Sequence, residues 1–207
     1  MKHLAPSLPK RRAVRLGLVL TPVLAVAVGT SVIWQTSYAA FSATTDNGVN
    51  NWQAGSVTLT DNDNAAVMFN VTGLKPGSTG TSCITVTASG LPSEIRLYGT
   101  STTASTTANN ALASALQLTV TRGTGGTYGN CTGFAADGAA GNVYSGNLAD
   151  FRANRGSYAT GATGWTTTST ASSSRTFQFS YTLDPNATNT SQNGSASMTF
   201  TWESQNT

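Results

Sequence analysis

The sequence predicts an all-β protein: an antiparallel, jelly-roll-like β-sandwich with long Gly- and Thr-rich loops and one or two short helices. Short stretches of alternating apolar and polar residues recur between turn signals. Thr accounts for 32 of the 168 residues after position 39. It is β-branched and suits a β-sheet with one face in solvent. Charged residues make up only 9% of the chain, against about a quarter in ordinary globular domains. Hydroxyls and amides must therefore cover the surface.

The elements follow from local patterns along the chain. Residues 56–60 alternate cleanly, and the oxygen-rich cluster at 61–64 favours a turn. Further strands are predicted over 66–71, 83–87, 95–98 and 118–122. A short helix is predicted over 110–117 and a helical turn over 148–152, with long loops over 123–141 and 153–174.

The last two predicted strands, 175–183 and 195–202, carry apolar side chains at every second position. These positions are Phe177, Phe179, Tyr181 and Leu183 in the first strand and Met198, Phe200 and Trp202 in the second. Aromatic stripes of this period are core more often than ligand platforms. We expect the two strands to be neighbours with matching core faces.

The first 39 residues have the pattern of a secretory signal peptide. A cationic segment ends at Arg15, an uncharged apolar run extends from Leu16 to Ile33, and small residues follow. We expect cleavage between Ala39 and Ala40, which divides the chain into a signal peptide, 1–39, and a single β-sandwich domain, 40–207. The alternative is an uncleaved membrane anchor, because the run is close to spanning length. If the segment is cleaved as expected, the chain contacts the membrane only through this segment and only before cleavage.

The basic charge of the chain belongs to this leader. The net charge is +3 over the whole sequence, but residues 40–207 hold six basic and eight acidic side chains, a net charge of −2. The charge of the processed chain therefore gives no reason to expect nucleic-acid binding. The single histidine is His3, so the processed chain lacks Ser-His-Asp and Cys-His catalysis and any His-ligated zinc site. We assign no catalytic, cofactor or metal residues and expect a protein that is not an enzyme.

The two cysteines of the chain, Cys83 and Cys131, are expected to form a disulfide. Exported cysteine pairs usually bond. A bridge of this span would stabilise the fold by about 4 kcal/mol in the chain-entropy model. Two buried free thiols are the alternative.

The cluster at 61–64, Asp-Asn-Asp-Asn, has the oxygen density of a calcium loop. An EF-hand counted from Asp61 would need Gly and Glu where the sequence has Ala66 and Thr72. An Asx-rich turn is therefore favoured, and a calcium site of another kind, built with distant loops, stays open.

Trp165 is a candidate sugar-stacking platform, because it falls in a stretch predicted to be a polar loop. A tryptophan that only pins this loop is the alternative. The platform would fit a secreted adhesin or carbohydrate-binding β-sandwich module, which is the alternative function for the chain.

An ordered set of motifs surrounds and follows the predicted cleavage site. It runs Y-A-A-F-S at 38–42, W-Q-A-G-S-V-T-L at 52–59 and V-T-G-L-K-P-G at 71–77. In this order the motifs resemble the TasA/camelysin family, and residues 143–151 and 194–202 are similar to its mid-chain segment and last strand. Camelysin is described as a metalloprotease, but the processed chain has no His and no H-E-x-x-H helix, so protease activity is not expected here.

The resemblance implies a secreted jelly-roll subunit with a SipW-type signal peptide, exported by a Gram-positive bacterium, that polymerises into fibres of the biofilm matrix. In relatives the mature N-terminus of one copy completes the sheet of the next, by main-chain hydrogen bonds to an open edge. The donor strand carried onto this chain is Ala40, Phe41, Ser42, Ala43 and Thr44. Phe41 would be its apolar anchor; an ordinary core residue or a disordered terminus is the alternative. Implied partners are other copies and further matrix or cell-surface components.

Overall fold

The computed structural model describes residues 42–45 and 57–206. They belong to one compact unit, Phe41–Thr207. Within these ranges the chain is mostly β, with two antiparallel sheets and two α-helices, which confirms the predicted all-β class. No helix in the described ranges has the length and apolar character needed to cross a membrane.

In the described ranges the chain forms ten strands, two α-helices and three short 3-10 helices. The strands are β1 Ser42–Thr45, β2 Val57–Asp61, β3 Thr79–Gly90, β4 Ser93–Thr100, β5 Leu116–Thr124, β6 Ala135–Ala136, β7 Asn142–Asn147, β8 Ala162–Thr167, β9 Ser173–Leu183 and β10 Thr199–Asn206. The α-helices are α1 Thr107–Ala115 and α2 Leu148–Asn154. Turns of 3-10 helix occupy Gly138–Gly141, Tyr158–Thr160 and Asn189–Ser191.

The described strands form a four-stranded and a six-stranded sheet. The smaller sheet has the order β1-β10-β4-β8. The larger runs β2-β3-β9-β5, and both β6 and β7 pair with β5. Every one of these pairs is antiparallel.

The core lies between the two sheets and is built on the predicted aromatic stripes. The ring of Phe179 lies 4.7 Å from that of Phe200 and 5.9 Å from that of Trp202. Phe177 lies 5.3 Å from Trp202. The stripes are therefore core as predicted, but the expectation that their strands are neighbours is wrong. β9 and β10 belong to opposite sheets. Between these sheets Phe177 and Phe179 pack against Phe200 and Trp202 and are removed from water.

Three predicted boundaries are corrected by the structure. Residues 66–71 form no strand and pair with no described strand. They follow a turn at Asn64 and Ala65, whose φ angles are 51° and 62°. The predicted loop 153–174 contains β8, which pairs with β4. The last strand begins at Thr199 rather than 195.

Side-chain caps fix the start of both helices. The Thr106 hydroxyl accepts a hydrogen bond from Asn109 N at 3.2 Å, and Asn147 Oδ1 accepts one from Asp150 N at 2.8 Å. The helix predicted over 110–117 thus begins earlier and ends where β5 starts. The turn predicted at 148–152 extends to Asn154 and buries Phe151 completely.

Candidate functional site

An apolar groove opens at the end of the sandwich where β10 begins. Its volume is about 380 Å³. Its lining comes from the β2–β3 connection, the start of β5, α2, Tyr181 and the segment that leads into β10: Val67, Met68, Phe69, Asn70, Val71, Leu74, Leu116, Gln117, Leu118, Leu148, Tyr181, Ala196, Ser197, Met198 and Phe200. None of these described residues is charged. The described lining therefore offers apolar surface and no pair of charged groups for acid–base chemistry.

Exposed apolar side chains concentrate on one wall of this groove. Among the described residues, the large apolar side chains that stand in water are Val67, Val71 and Leu91, at 73%, 47% and 38% exposure. Two of them line the groove. Val67 and Val71 therefore leave apolar surface of this wall in contact with water.

The segment that forms this wall lies between β2 and β3 and is anchored at its two ends rather than by strand pairing. At its start, the left-handed residues Asn64 and Ala65 turn the chain. At its end, Gly77 N donates to Leu183 O at 2.8 Å, and Leu183 N donates to Ser78 O at 2.8 Å. Between them Phe69 packs edge-on against Tyr181, with ring centroids 5.2 Å apart. The segment therefore stays irregular and presents its valines to the groove.

The predicted donor strand lies only partly within the described residues. The cleavage site Ala39–Ala40 and the anchor Phe41 are outside them. Ser42, Ala43 and Thr44 fall in β1, which pairs with β10 of its own chain, opposite Gln205, Ser204 and Glu203. Donation of this strand to another copy stays a prediction.

The predicted disulfide is confirmed. Cys83 of β3 is bonded to Cys131, which lies 48 residues further along the chain. Gly129 N also donates to Cys83 O at 2.9 Å, so the loop around Tyr128 is fixed on β3. A structural bridge of this kind fits a compartment outside the reducing cytosol.

Trp165 does not form a platform, and this prediction is wrong. Its side chain is 4% exposed in β8 and packs against Phe177, with ring centroids 5.8 Å apart. A sugar stacks on an open ring face, which a buried indole does not offer. The error follows from the loop predicted over 153–174, because β8 carries Trp165 into the core instead.

The cluster at 61–64 forms the favoured Asx turn. Asp61 Oδ1 accepts from Asp63 N at 3.3 Å, and Asp63 Oδ1 accepts from Ala65 N at 2.7 Å. The Asp63 side chain is buried. Burial, together with the hydrogen bond to the Asp61 carboxyl, raises the pKa of Asp63 to about 6.

The chain matches no protein-family model and no curated protein sequence. Function must therefore be argued from the residues themselves. The groove is the feature that sequence reasoning missed. The available signal was the run 67–71, whose apolar residues do not alternate and which stands between two turn clusters.

Proposed function

We propose that this protein is a secreted structural subunit, related to the TasA/camelysin family, that self-assembles into extracellular fibres of the biofilm-matrix type. The proposal includes a jelly-roll sandwich, export by the signal peptide 1–39, and a role without catalysis. In it, the segment 40–44 of one copy inserts into the groove of the next.

The observation that carries the proposal is the uncharged apolar groove with Val67 and Val71 exposed on its wall. Burying these side chains under a neighbour's strand removes apolar surface from water, at about 25 cal/mol per Å². The proposed donor segment, residues 40–44, includes an apolar side chain, Phe41, that suits such a groove. The few charges of the processed chain leave little repulsion between copies.

The donor is suited to exchange. β1 has only four residues and pairs with a single described strand of its sheet, β10. Insertion into the groove of the next copy costs the donor its pairing with β10 of its own copy, and the burial of the groove's apolar side chains offsets this loss. Insertion repeated head to tail gives a filament rather than a closed dimer.

The test compares the processed protein, residues 40–207, with a variant that begins at residue 46. Electron microscopy and light scattering should show filaments from the first and folded monomers from the second. Adding a synthetic peptide of residues 40–48 to the intact protein should shorten or block the filaments. Filaments of equal length and yield from the truncated protein would overturn the donor-strand mechanism.

The groove is tested separately by Val71→Asp, with Leu91→Asp as the matched control. Both residues are exposed, so neither change should unfold the domain. Only Val71 lines the groove, so only Val71→Asp should abolish filaments. Equal assembly of both variants would show that the groove is not the acceptor.

A further inference from the structure

Both methionines of the processed chain line the apolar groove. The sequence holds three methionines, Met1, Met68 and Met198, and the first belongs to the predicted leader. Met68 lies in the β2–β3 connection and Met198 in the segment that leads into β10, and both side chains belong to the groove lining. The thioether sulfur of the processed chain is therefore concentrated at this one feature.

Small solutes reach this part of the groove in the folded protein. Met68 and Met198 are half-buried: each packs against the main core cluster and keeps part of its surface in solvent. Val67, next to Met68, is 73% exposed. The groove volume of about 380 Å³ is far larger than the roughly 30 Å³ that one water molecule occupies. A molecule as small as hydrogen peroxide therefore enters without unfolding the domain.

The sulfur of Met198 lies beside Gly99 of β4 and the ring of Phe151. A Cβ on Gly99 would lie 2.7 Å from Met198 Sδ and 2.9 Å from Phe151 Cε1, so the missing side chain of Gly99 leaves the space that both atoms occupy. Methionine sulfur makes favourable contacts with the edges of aromatic rings. An oxygen atom added to this sulfur must enter the same space and changes the packing of the lining.

The cysteines of the chain offer no thiol that would compete for an oxidant. The sequence has two cysteines, Cys83 and Cys131, and they are bonded to each other. Cys83 is also completely buried. Thioethers and thiols are the side chains that peroxides oxidise most readily. In the processed chain, Met68 and Met198 are therefore the sulfur groups that peroxide meets first.

We propose that Met68 and Met198 are sites of oxidation to methionine sulfoxide by hydrogen peroxide, and that this modification weakens the uptake of apolar segments by the groove. A lone pair of the sulfur attacks one oxygen of the peroxide. An S–O bond forms as the O–O bond breaks, and the second oxygen leaves as water. The sulfur is oxidised by two electrons, and the peroxide is reduced by two.

The added oxygen makes a flexible apolar side chain polar. Water solvates this oxygen while the groove is open. When an apolar segment inserts, the water leaves and the oxygen is buried in an uncharged, mostly apolar lining. Burying a polar group in such surroundings is costly, so the oxidised groove should bind an apolar segment roughly tenfold more weakly or worse. The consequence for filaments rests on the proposed function, whereas the oxidation itself does not.

The test treats the processed protein, residues 40–207, with hydrogen peroxide and locates the added oxygen by peptide mass spectrometry. We expect one oxygen on each methionine while circular dichroism still shows a folded protein. The fluorescence of anilinonaphthalene sulfonate, a dye that reports exposed apolar surface, should fall. The protein concentration needed for filaments should rise roughly tenfold or more.

The matched control is the double variant Met68→Leu with Met198→Leu. Leu keeps the volume and apolar character of the lining and has no sulfur to oxidise. Peroxide should therefore leave the dye fluorescence and the filaments of this variant unchanged. If the double variant does not fold, the oxidised wild type is instead treated with the two methionine sulfoxide reductases, one for each sulfoxide epimer. Dye binding should then return, and its failure to return would contradict the proposal.

Three results would overturn the proposal. The methionines could stay unmodified until urea unfolds the protein, which would show that the groove does not admit the oxidant. The doubly oxidised protein could bind the dye like untreated protein. Peroxide could affect wild type and the Leu variant equally, which would place the sensitive group elsewhere.

The readouts also separate this proposal from the proposed function. If the untreated protein forms no filaments, the proposed function fails, but mass spectrometry and dye fluorescence still decide whether Met68 and Met198 are oxidised and whether the groove changes. Untreated protein that binds no dye would contradict the open apolar groove on which the oxidation proposal depends.

Discussion

Replacing Cys83 and Cys131 by Ala measures how far the fold depends on the bridge between β3 and the Tyr128 loop. The cysteines are 48 residues apart. Closing a loop of that length removes entropy from the unfolded chain worth about 4 kcal/mol. For a domain of this size, the loss corresponds to a fall in Tm of roughly 8–16 °C. Ala is chosen because Cys83 is fully buried, and Ser would leave a hydroxyl there.

The structure also predicts which part of the fold loses protection when the disulfide is removed. Without the bridge, the loop keeps its own short hairpin, in which Thr127 N donates to Asn130 O at 2.7 Å. Its hold on the sheet then depends on the hydrogen bond from Gly129 N to Cys83 O. Protection of the Gly129 amide from hydrogen exchange should therefore fall much more than protection of β5 and β9.

The assay is urea denaturation without reductant, combined with hydrogen exchange. Wild-type protein reduced with a thiol reagent is the control, because it lacks the bond but keeps both sulfur atoms. It should lose about as much stability as the double variant. A loss below about 1 kcal/mol in both samples, or unchanged protection of Gly129, would refute the reasoning, since the bridge would then constrain little.

Two further predictions concern the core and the buried carboxylate. Trp165→Ala should lower the free energy of unfolding by about 3–5 kcal/mol, whereas Trp165→Phe should keep most of the packing against Phe177. A Trp165→Ala protein that is as stable as wild type but has lost glycan binding would restore the platform interpretation. In metal-free buffer, the free energy of unfolding should fall by about 3 kcal/mol as the pH rises from about 4 to 6. The cause is Asp63, whose pKa is about 6 in the folded protein and 3.8 ordinarily, so the folded state binds the proton more tightly than the unfolded state does. Denaturation at a series of pH values should show this slope in wild type and not in Asp63→Asn; equal slopes would contradict it.

Local patterns predicted much of the fold. The alternation over 83–87, 118–122 and 175–183 lies within β3, β5 and β9. The turn at 61–64 was likewise recognisable, because Asx side chains bond to backbone groups only two residues away. In each case the physical cause lies within a few residues of the pattern, so one stretch of sequence contains it.

Other features depend on segments that are distant in the chain. β8 has little alternation of its own, and Gly164 allows close approach to β4: a Cβ there would lie 3.0 Å from Ile95 O. The run 66–71 is apolar enough for a strand but forms the groove wall instead. No local rule distinguishes these outcomes, since strand formation depends on the partner that is present.

By itself, the sequence determined the all-β class and the pairing of the two cysteines, because alternation is local and two cysteines allow a single bridge. Only the tertiary structure decided that β9 and β10 face each other across the core, that Trp165 is buried and that an apolar groove stays open. These properties are set by which distant surfaces meet and exclude water, and a pattern within one segment does not specify its partner.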